Sequence, residues 1–233
     1  IRQAKDYNEG HVEGAVNVPW GPNFAKSLDF MPADETVYVY CYSGQTAGQT
    51  VALLEMAGID AKSVNLGYNF GISKVEGVDE VITTEPTELG DKTGISIDPV
   101  IRTAIENYYE GLADVSDTMF KNYKISEKNM KEIVDSGADG YYILSIRQEK
   151  HYNEEHIPGA ELVPWGTGMQ EQFSSLPADQ KILTYCYTGQ TAGQTVAGLR
   201  LLGYDAVSLN GGIGWPPNKP LGWKNKGYET VSN

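Results

Sequence analysis

The sequence predicts an α/β protein made of two similar domains, each a central, mainly parallel sheet flanked by helices. Three observations lead there. Short β-rich runs alternate with helical stretches, the pattern of helices laid on a parallel sheet. A long segment of the chain occurs twice in one unbroken register. The 233 residues, 40% of them hydrophobic, suffice for two small cores and exclude a disordered chain.

The repeat sets the frame. RQAKDYNEGHVEGAVNVPW at residues 2–20 returns as RQEKHYNEEHIPGAELVPW at 147–165, a shift of 147 − 2 = 145 with 12 of 19 residues identical. CYSGQTAGQT at 41–50 returns as CYTGQTAGQT at 186–195, and 186 − 41 is again 145. The register runs without a gap from Arg2 to Asn65, which matches Asn210. This is a duplicated domain, not a solenoid of many short repeats.

In chain order, residues 36–40 (TVYVY) and 181–185 (KILTY) read as buried strands that end at a cysteine. Residues 47–56 and 192–202 read as the helices that follow, stopped by Gly58 and Gly203. A further helix at 127–135, with Ser126 as N-cap and Gly137 as its stop, leads into a strand at 141–146 (YYILSI). Between the repeats, residues 84–93 (TEPTELGDKT) have linker composition. After them, Val100, Ile101, Ala104, Ile105, Tyr108, Tyr109 and Leu112 form one stripe of a helix with no counterpart in the second unit, read as bridging the two. The expected domains are 1–83 and 123–233, joined by a linker with its bridging helix at 84–122. The second unit begins near Tyr123, and 123 − 145 = −22. The first domain is therefore expected to lack its N-terminal strand and helix, to be supplied by a missing N-terminal segment of its own chain or by another filler.

A net charge of −13 and a pI near 4.6, with no basic run, argue against nucleic acid or anionic membranes as partners. No apolar stretch approaches the roughly 18 to 20 residues of a transmembrane helix. The chain begins at Ile1 without a secretory signal, and the reading favours an exported, periplasmic or cell-surface location over the cytoplasm.

The chemistry is expected at the two cysteines. Each ends a strand and is followed, through a glycine, by a helix, which is where open α/β folds bind ligands. A sharp turn over Tyr42, Ser43, Gly44, Gln45 and Thr46, and over Tyr187, Thr188, Gly189, Gln190 and Thr191, would aim backbone N–H groups inward as an anion nest. Such a nest favours thiolate and holds the anion that the sulfur attacks. Equivalent positions make Cys41 and Cys186 two copies of one nucleophile. A disulfide would need the two homologous loops to face each other, and a packing role fits the surroundings less well. Gly44 and Gly189 are read as conformational, not catalytic.

Taken together, IR at Ile1-Arg2 and at Ile146-Arg147, GHVEGAVNVPW at 10–20, EHIPGAELVPW at 155–165, a strand ending in YC, and NGGIGW at 210–215 resemble the tandem-domain rhodaneses, sulfurtransferases of the thiosulfate and mercaptopyruvate type. The resemblance implies that Cys41 and Cys186 carry a sulfane sulfur as persulfide, from a small sulfur-containing donor to a thiol or cyanide-like acceptor, without cofactor or metal. Thiosulfate-specialised members carry Arg or Lys in the loop. Both loops here are uncharged, which suits a neutral or protein persulfide better. The resemblance also implies that His11 and His156 are structural. Arg2 and Arg147 are expected in buried ion pairs, and His151, which stands where the first unit has Asp6, on the surface.

The alternative reading is a non-catalytic persulfide carrier or protein-binding module of the same fold. A thiol phosphatase or arsenate reductase would need an Arg about six residues past the cysteine to clamp its oxyanion. Ala47 and Ala192 stand there.

Overall fold

The computed structural model describes residues 1–233, which fall into two compact units, 1–114 and 115–233. In the first, helix α1 (Ala4–Asn8) precedes strand β1 (His11–Val12) and a 3-10 segment, Phe24–Phe30. Strand β2 (Val37–Val39) leads through the Cys41 loop into helix α2 (Gln45–Met56) and then strand β3 (Ala61–Ser63). Strand β4 (Ile82–Thr83) and helix α3 (Pro99–Glu110) complete the unit. β2 and β3 pair in parallel, and β1 and β4 pair antiparallel.

Helix α3 starts where the side chain of Asp98 accepts from the amides of Val100 and Ile101, with Pro99 in its first turn. Its buried face is Ile105, Tyr108 and Tyr109; Val100, placed on that stripe by periodicity, is 76% exposed. Tyr109 stacks on Phe24 at 4.6 Å, and its hydroxyl meets Thr50 Oγ1 at 3.2 Å. Tyr108 donates to Gln49 Oε1 at 2.5 Å. These contacts tie α3 to α2 within the first unit, so it braces that unit. The preceding stretch is tied there as well, Val16 bridging Thr87 and the Thr93 amide donating to the Asp29 carbonyl at 2.9 Å. The expected linker at 84–122 is thus divided between the two units at 114/115.

The second unit runs β5 (Lys124–Ile125), α4 (Glu127–Asp135), β6 (Tyr141–Ser145), α5 (Glu149–Glu154), β7 (Ala160–Leu162), β8 (Lys181–Tyr185), α6 (Gln190–Leu201) and β9 (Ala206–Leu209). Its five strands are all parallel, in the order β5-β9-β8-β6-β7. Ser126 caps α4 by accepting from the Asn129 amide at 3.1 Å, and Gly137 ends it at φ 95°. Ile143, Leu144, Ile182, Leu183, Val207 and Leu209 are almost wholly buried between the helical layers. Each such side chain stabilises the fold by about 1.5–3 kcal/mol.

The shift of 145 maps β2 onto β8 and β3 onto β9, whereas the counterparts of β5 and β6 would precede Ile1. Ile1 itself makes the rung that Ile146 makes: its amino group donates to the Tyr40 carbonyl at 2.9 Å, as the Ile146 amide does to Tyr185 at 3.0 Å. On the other side Trp20 donates to Ile1 as Trp165 does to Ile146, both at 3.1 Å. Past that rung lies a cleft of about 380 Å³ between residues 14–18 and β2, where the second unit holds β6. Tyr38 is 72% exposed, while its counterpart Leu183 is buried. No helix is long and apolar enough to cross a membrane.

Candidate active site

Each cysteine sits at the C-terminal end of a parallel strand with its side chain buried, 2% of Cys41 and of Cys186 being exposed. The chain then turns through a glycine in the left-handed region, Gly44 at φ 88° and Gly189 at φ 91°, conformations that a side chain resists. That turn aims amides back at the sulfur. Gly44 donates to Cys41 Sγ at 3.1 Å and Ala47 does so at 3.4 Å, and Gly189 donates to Cys186 Sγ at 3.1 Å. The helices begin at once, with Gly48 donating to the Gly44 carbonyl and Gly193 to that of Gly189. A glycine amide and a helix N-terminus therefore meet each sulfur, joined at Cys41 by the Ala47 amide.

A second layer holds the loops. Tyr68 donates to the Cys41 carbonyl at 2.8 Å and Asn69 to that of Tyr42 at 2.9 Å; Ile213 and Gly214 do the same for Cys186 and Tyr187 at 2.8 and 3.2 Å. These bonds require close backbone approach. A β-carbon at Gly67 would lie 2.6 Å from the Cys41 carbonyl oxygen, and one at Gly212 only 2.5 Å from that of Cys186. Both glycines have φ +59°. In the second unit the buried Asn218 adds bonds from Nδ2 to the carbonyls of Gly211, 3.1 Å, and Thr188, 3.4 Å.

Of the other loop residues, Ser43, Gln45, Thr46 and Thr188 are buried, Gln190 and Thr191 half-buried. The loop tyrosines face the mouth half-buried, and their hydroxyls accept from the amides of Gln3 and Gln148 at 3.0 and 3.2 Å. Tyr42 also donates to Asp6 Oδ2 at 2.5 Å. Burial, reinforced by that carboxylate, pushes the Tyr42 phenol up. At the equivalent place Tyr187 Oη lies 2.6 Å from His151 Nδ1. His151 is exposed, as expected of a surface residue, yet it belongs to the loop's surroundings, and sequence reasoning missed it. The signal was in the repeat: position 6/151 differs where its neighbours Tyr7/Tyr152 and Asn8/Asn153 are identical.

Arg2 and Arg147 are buried, but the expected ion pairs are replaced by backbone carbonyls. Arg2 donates to Gly10 at 2.8 Å and to Asp6, and Arg147 to His151 at 2.8 Å and to Glu155. Their guanidinium groups lie over tyrosine rings, Arg2 3.9 Å from Tyr68 and Arg147 5.7 Å from Tyr187. Asp6 and His151 lie within the short helices α1 and α5, and Gly10 and Glu155 just beyond them, so each guanidinium draws on one carbonyl of a short helix and one of the chain that follows it. His11 and His156 are buried, stack on Tyr7 and Tyr152, and bond the carbonyls of those residues through Nδ1 at 2.8 and 2.9 Å. Both rings are thus tied to the backbone of their own unit. No group of three His, Cys, Asp or Glu side chains gathers to hold a metal. Beside the second loop lies a cavity of about 230 Å³, lined by Arg147, His151, Glu155, Tyr187, Trp215 and Lys224 among others.

The rhodanese-like domain model matches residues 1–71 and 126–215, one stretch in each unit. The chain belongs to the rhodanese family. Among rhodanese relatives, the "Probable adenylyltransferase/sulfurtransferase MoeZ" of Mycobacterium tuberculosis is 29% identical over 110 residues, 46% of this chain. This chain spans only 28% of that protein's length. The "Putative thiosulfate sulfurtransferase 2" of Mycobacterium bovis is 24% identical over 235 residues, covering 89% of this chain and 72% of the relative. Among solved rhodanese structures, the rhodanese-like domain of an Anabaena protein shares 27% identity, with a TM-score of 0.41 over 48% of this chain and 80% of that one.

Proposed function

We propose that the protein is a sulfurtransferase with two reaction centres, which moves a sulfane sulfur through persulfides on Cys41 and Cys186. The observation that carries this reading is the recurrence of one nest in both units, each with a buried sulfur at a strand end and a glycine amide donating to it at 3.1 Å. With thiosulfate as donor, the thiolate attacks the outer sulfur. The new S–S bond forms as the S–S bond of thiosulfate breaks, and sulfite leaves with the electron pair. The nest holds the resulting persulfide anion. A thiol or cyanide then attacks the terminal sulfur and the cysteine thiolate departs, restoring the enzyme. No side-chain base is needed, which agrees with the structural bonding of His11 and His156. With uncharged loops, neutral or protein persulfide donors suit this site better than thiosulfate does.

The test incubates the chain with a sulfane donor, measures the mass of the peptides containing Cys41 and Cys186, and then adds cyanide and assays thiocyanate. A gain of one sulfur atom on each peptide, discharged by cyanide and lost at the substituted site in Cys41→Ser or Cys186→Ser, is the expected result. Persulfide that forms but is never discharged would mark a carrier, and no persulfide at all would sink the reading.

A further inference from the structure

The two loop tyrosines commit their hydroxyl protons differently. Each hydroxyl accepts from one backbone amide, of Gln3 at Tyr42 and of Gln148 at Tyr187, and has one proton left to place. At Tyr42 that proton goes to the Asp6 carboxylate, which when ionised can only accept. At Tyr187 the repeat puts His151 in that place, since 151 − 6 = 145, with Nδ1 2.6 Å away. This separation fits a hydroxyl donating to a neutral ring, being shorter than the roughly 2.9–3.0 Å usual for a ring N–H donor. An imidazolium has no lone pair to offer. Once protonated, His151 must itself donate to Tyr187, whose oxygen then accepts twice and whose proton is set free. Both side chains line the cavity of about 230 Å³ beside the Cys186 loop, so a freed hydroxyl meets what that cavity holds.

Net charge does not separate the sites. Glu149 stands where the first unit has Ala4 and offsets the carboxylate lost at His151, and Lys150–Glu154 repeats Lys5–Glu9. Arg147, 5.7 Å from the Tyr187 ring, repeats Arg2, and Glu155 pairs with Lys224 at 2.5 Å. The floor segment 213–216 brings no titratable group. What differs is a hydrogen-bond donor that can be switched.

We propose that Tyr187 is a pH-gated catalytic donor at Cys186: protonation of His151 frees its hydroxyl to bind the oxygens of an anionic sulfane donor and of the sulfite that leaves. The inference rests on the sulfur-transfer reading above. The S–S bond of thiosulfate breaks as the Cys186 persulfide forms, and sulfite leaves with the electron pair. No proton is transferred; the hydroxyl hydrogen-bonds the charge as it develops on the leaving group. His151 is a positioning residue that acts through Tyr187. Tyr42, held by Asp6, has no such proton to give. A hydrogen bond to a charged partner is worth about tenfold, and histidine is the side chain that changes charge between about pH 5 and pH 8.

The test follows sulfur uptake from thiosulfate at Cys186, by peptide mass, in the unsubstituted chain and in Tyr187→Phe, from about pH 8 down to about pH 5.5. Dividing the first rate by the second at each pH removes the titration of the thiol itself. The ratio should rise about tenfold as pH falls. With His151→Asp added to both proteins the ratio should stay flat, and so should the same comparison at Cys41 with Tyr42→Phe. Each cysteine is compared with itself because the Ile1 amino group beside Cys41, whose pKa burial pushes down to about 6, titrates in the same range. Should Tyr187→Phe fail to fold, the unsubstituted chain is divided by His151→Asp instead, and the rise must then survive high salt, which would screen the pull of an imidazolium charge. A flat ratio at Cys186, an equal rise at Cys41 or a rise lost in high salt overturns the gated donor and leaves sulfur transfer standing. Sulfur on neither thiol overturns both.

Discussion

Gly212 lies so close to Cys186 that a β-carbon on it would stand 2.5 Å from the Cys186 carbonyl oxygen and 2.9 Å from the amides of Thr188 and Gly189. The backbone after β9 is thus the floor of the Cys186 loop, and the Gly189 amide that this β-carbon would crowd is the one that donates to the sulfur.

Gly212→Ala is therefore expected to displace that amide and to slow persulfide formation at Cys186 at least about tenfold, beyond the roughly 1 kcal/mol cost of a side chain at positive φ. Gly67→Ala should do the same at Cys41, where the β-carbon would stand 2.6 Å from the carbonyl oxygen. Peptide mass after exposure to a sulfane donor reads both. Undiminished sulfur uptake by Gly212→Ala would show that the loop does not need this floor.

Asn218 gives a second handle on the same loop. It is fully buried, and its Nδ2 bridges the carbonyls of Thr188 and Gly211, one in the loop and one in the floor. Asn218→Ala leaves both carbonyls without that donor, a loss of order 1–3 kcal/mol for buried groups. Persulfide formation at Cys186 should slow while Cys41 keeps its rate. A fall in both rates would point to general loss of fold instead.

How far the sequence carried depended on which contacts are local. The nests were legible because a strand, a glycine and a helix in succession dictate where the amides at Cys41 and Cys186 point. Of the five-stranded sheet, β6 and β8 were legible because residues 141–146 and 181–185 are short β-rich runs, whereas β5, β7 and β9 were not read from the sequence. The setting of helix α3 was not. Its stripe of Ile105, Tyr108 and Tyr109 reports an apolar partner without saying which, and that partner, at Phe24 and Thr50, lies more than fifty residues away. Arg2 and Arg147 were misjudged for a similar reason. A buried guanidinium needs acceptors, and a sequence displays carboxylates while concealing which backbone carbonyls a short helix and the chain after it turn toward the group.

The packing of α3 makes a prediction of its own. Tyr109 is fully buried against Phe24, with Trp20 edge-on at 5.3 Å and Thr50 Oγ1 at its hydroxyl. Tyr109→Ala opens a cavity among these rings and should destabilise the first unit by about 3–5 kcal/mol. Tyr109→Phe, which removes only the hydroxyl, should cost about 1 kcal/mol. Urea unfolding followed by hydrogen exchange at α2 amides would show it. Unchanged protection there would mean that α3 does not brace the unit.

Asp205 provides the acid limb of stability. Burial alone would raise its carboxyl, but the hydrogen bonds and charges of Lys181 and Arg200 outweigh burial and hold it below the usual range. A carboxylate with a depressed folded pKa stabilises the fold above its unfolded pKa, and that contribution fades as pH falls through the folded value. At pH 7 the contribution is fully present; below about pH 4 it declines, because the unfolded chain takes up the proton there while the native carboxylate still resists it. Asp205→Asn should thus lower the urea midpoint of the second unit at pH 7 by more than it does at pH 3, so that the two proteins converge in acid. The unsubstituted chain should also lose stability more steeply than Asp205→Asn between pH 4 and 3. Parallel midpoint curves over that range would rule out the ion pair as the source, leaving only the lost hydrogen-bond geometry at the start of β9.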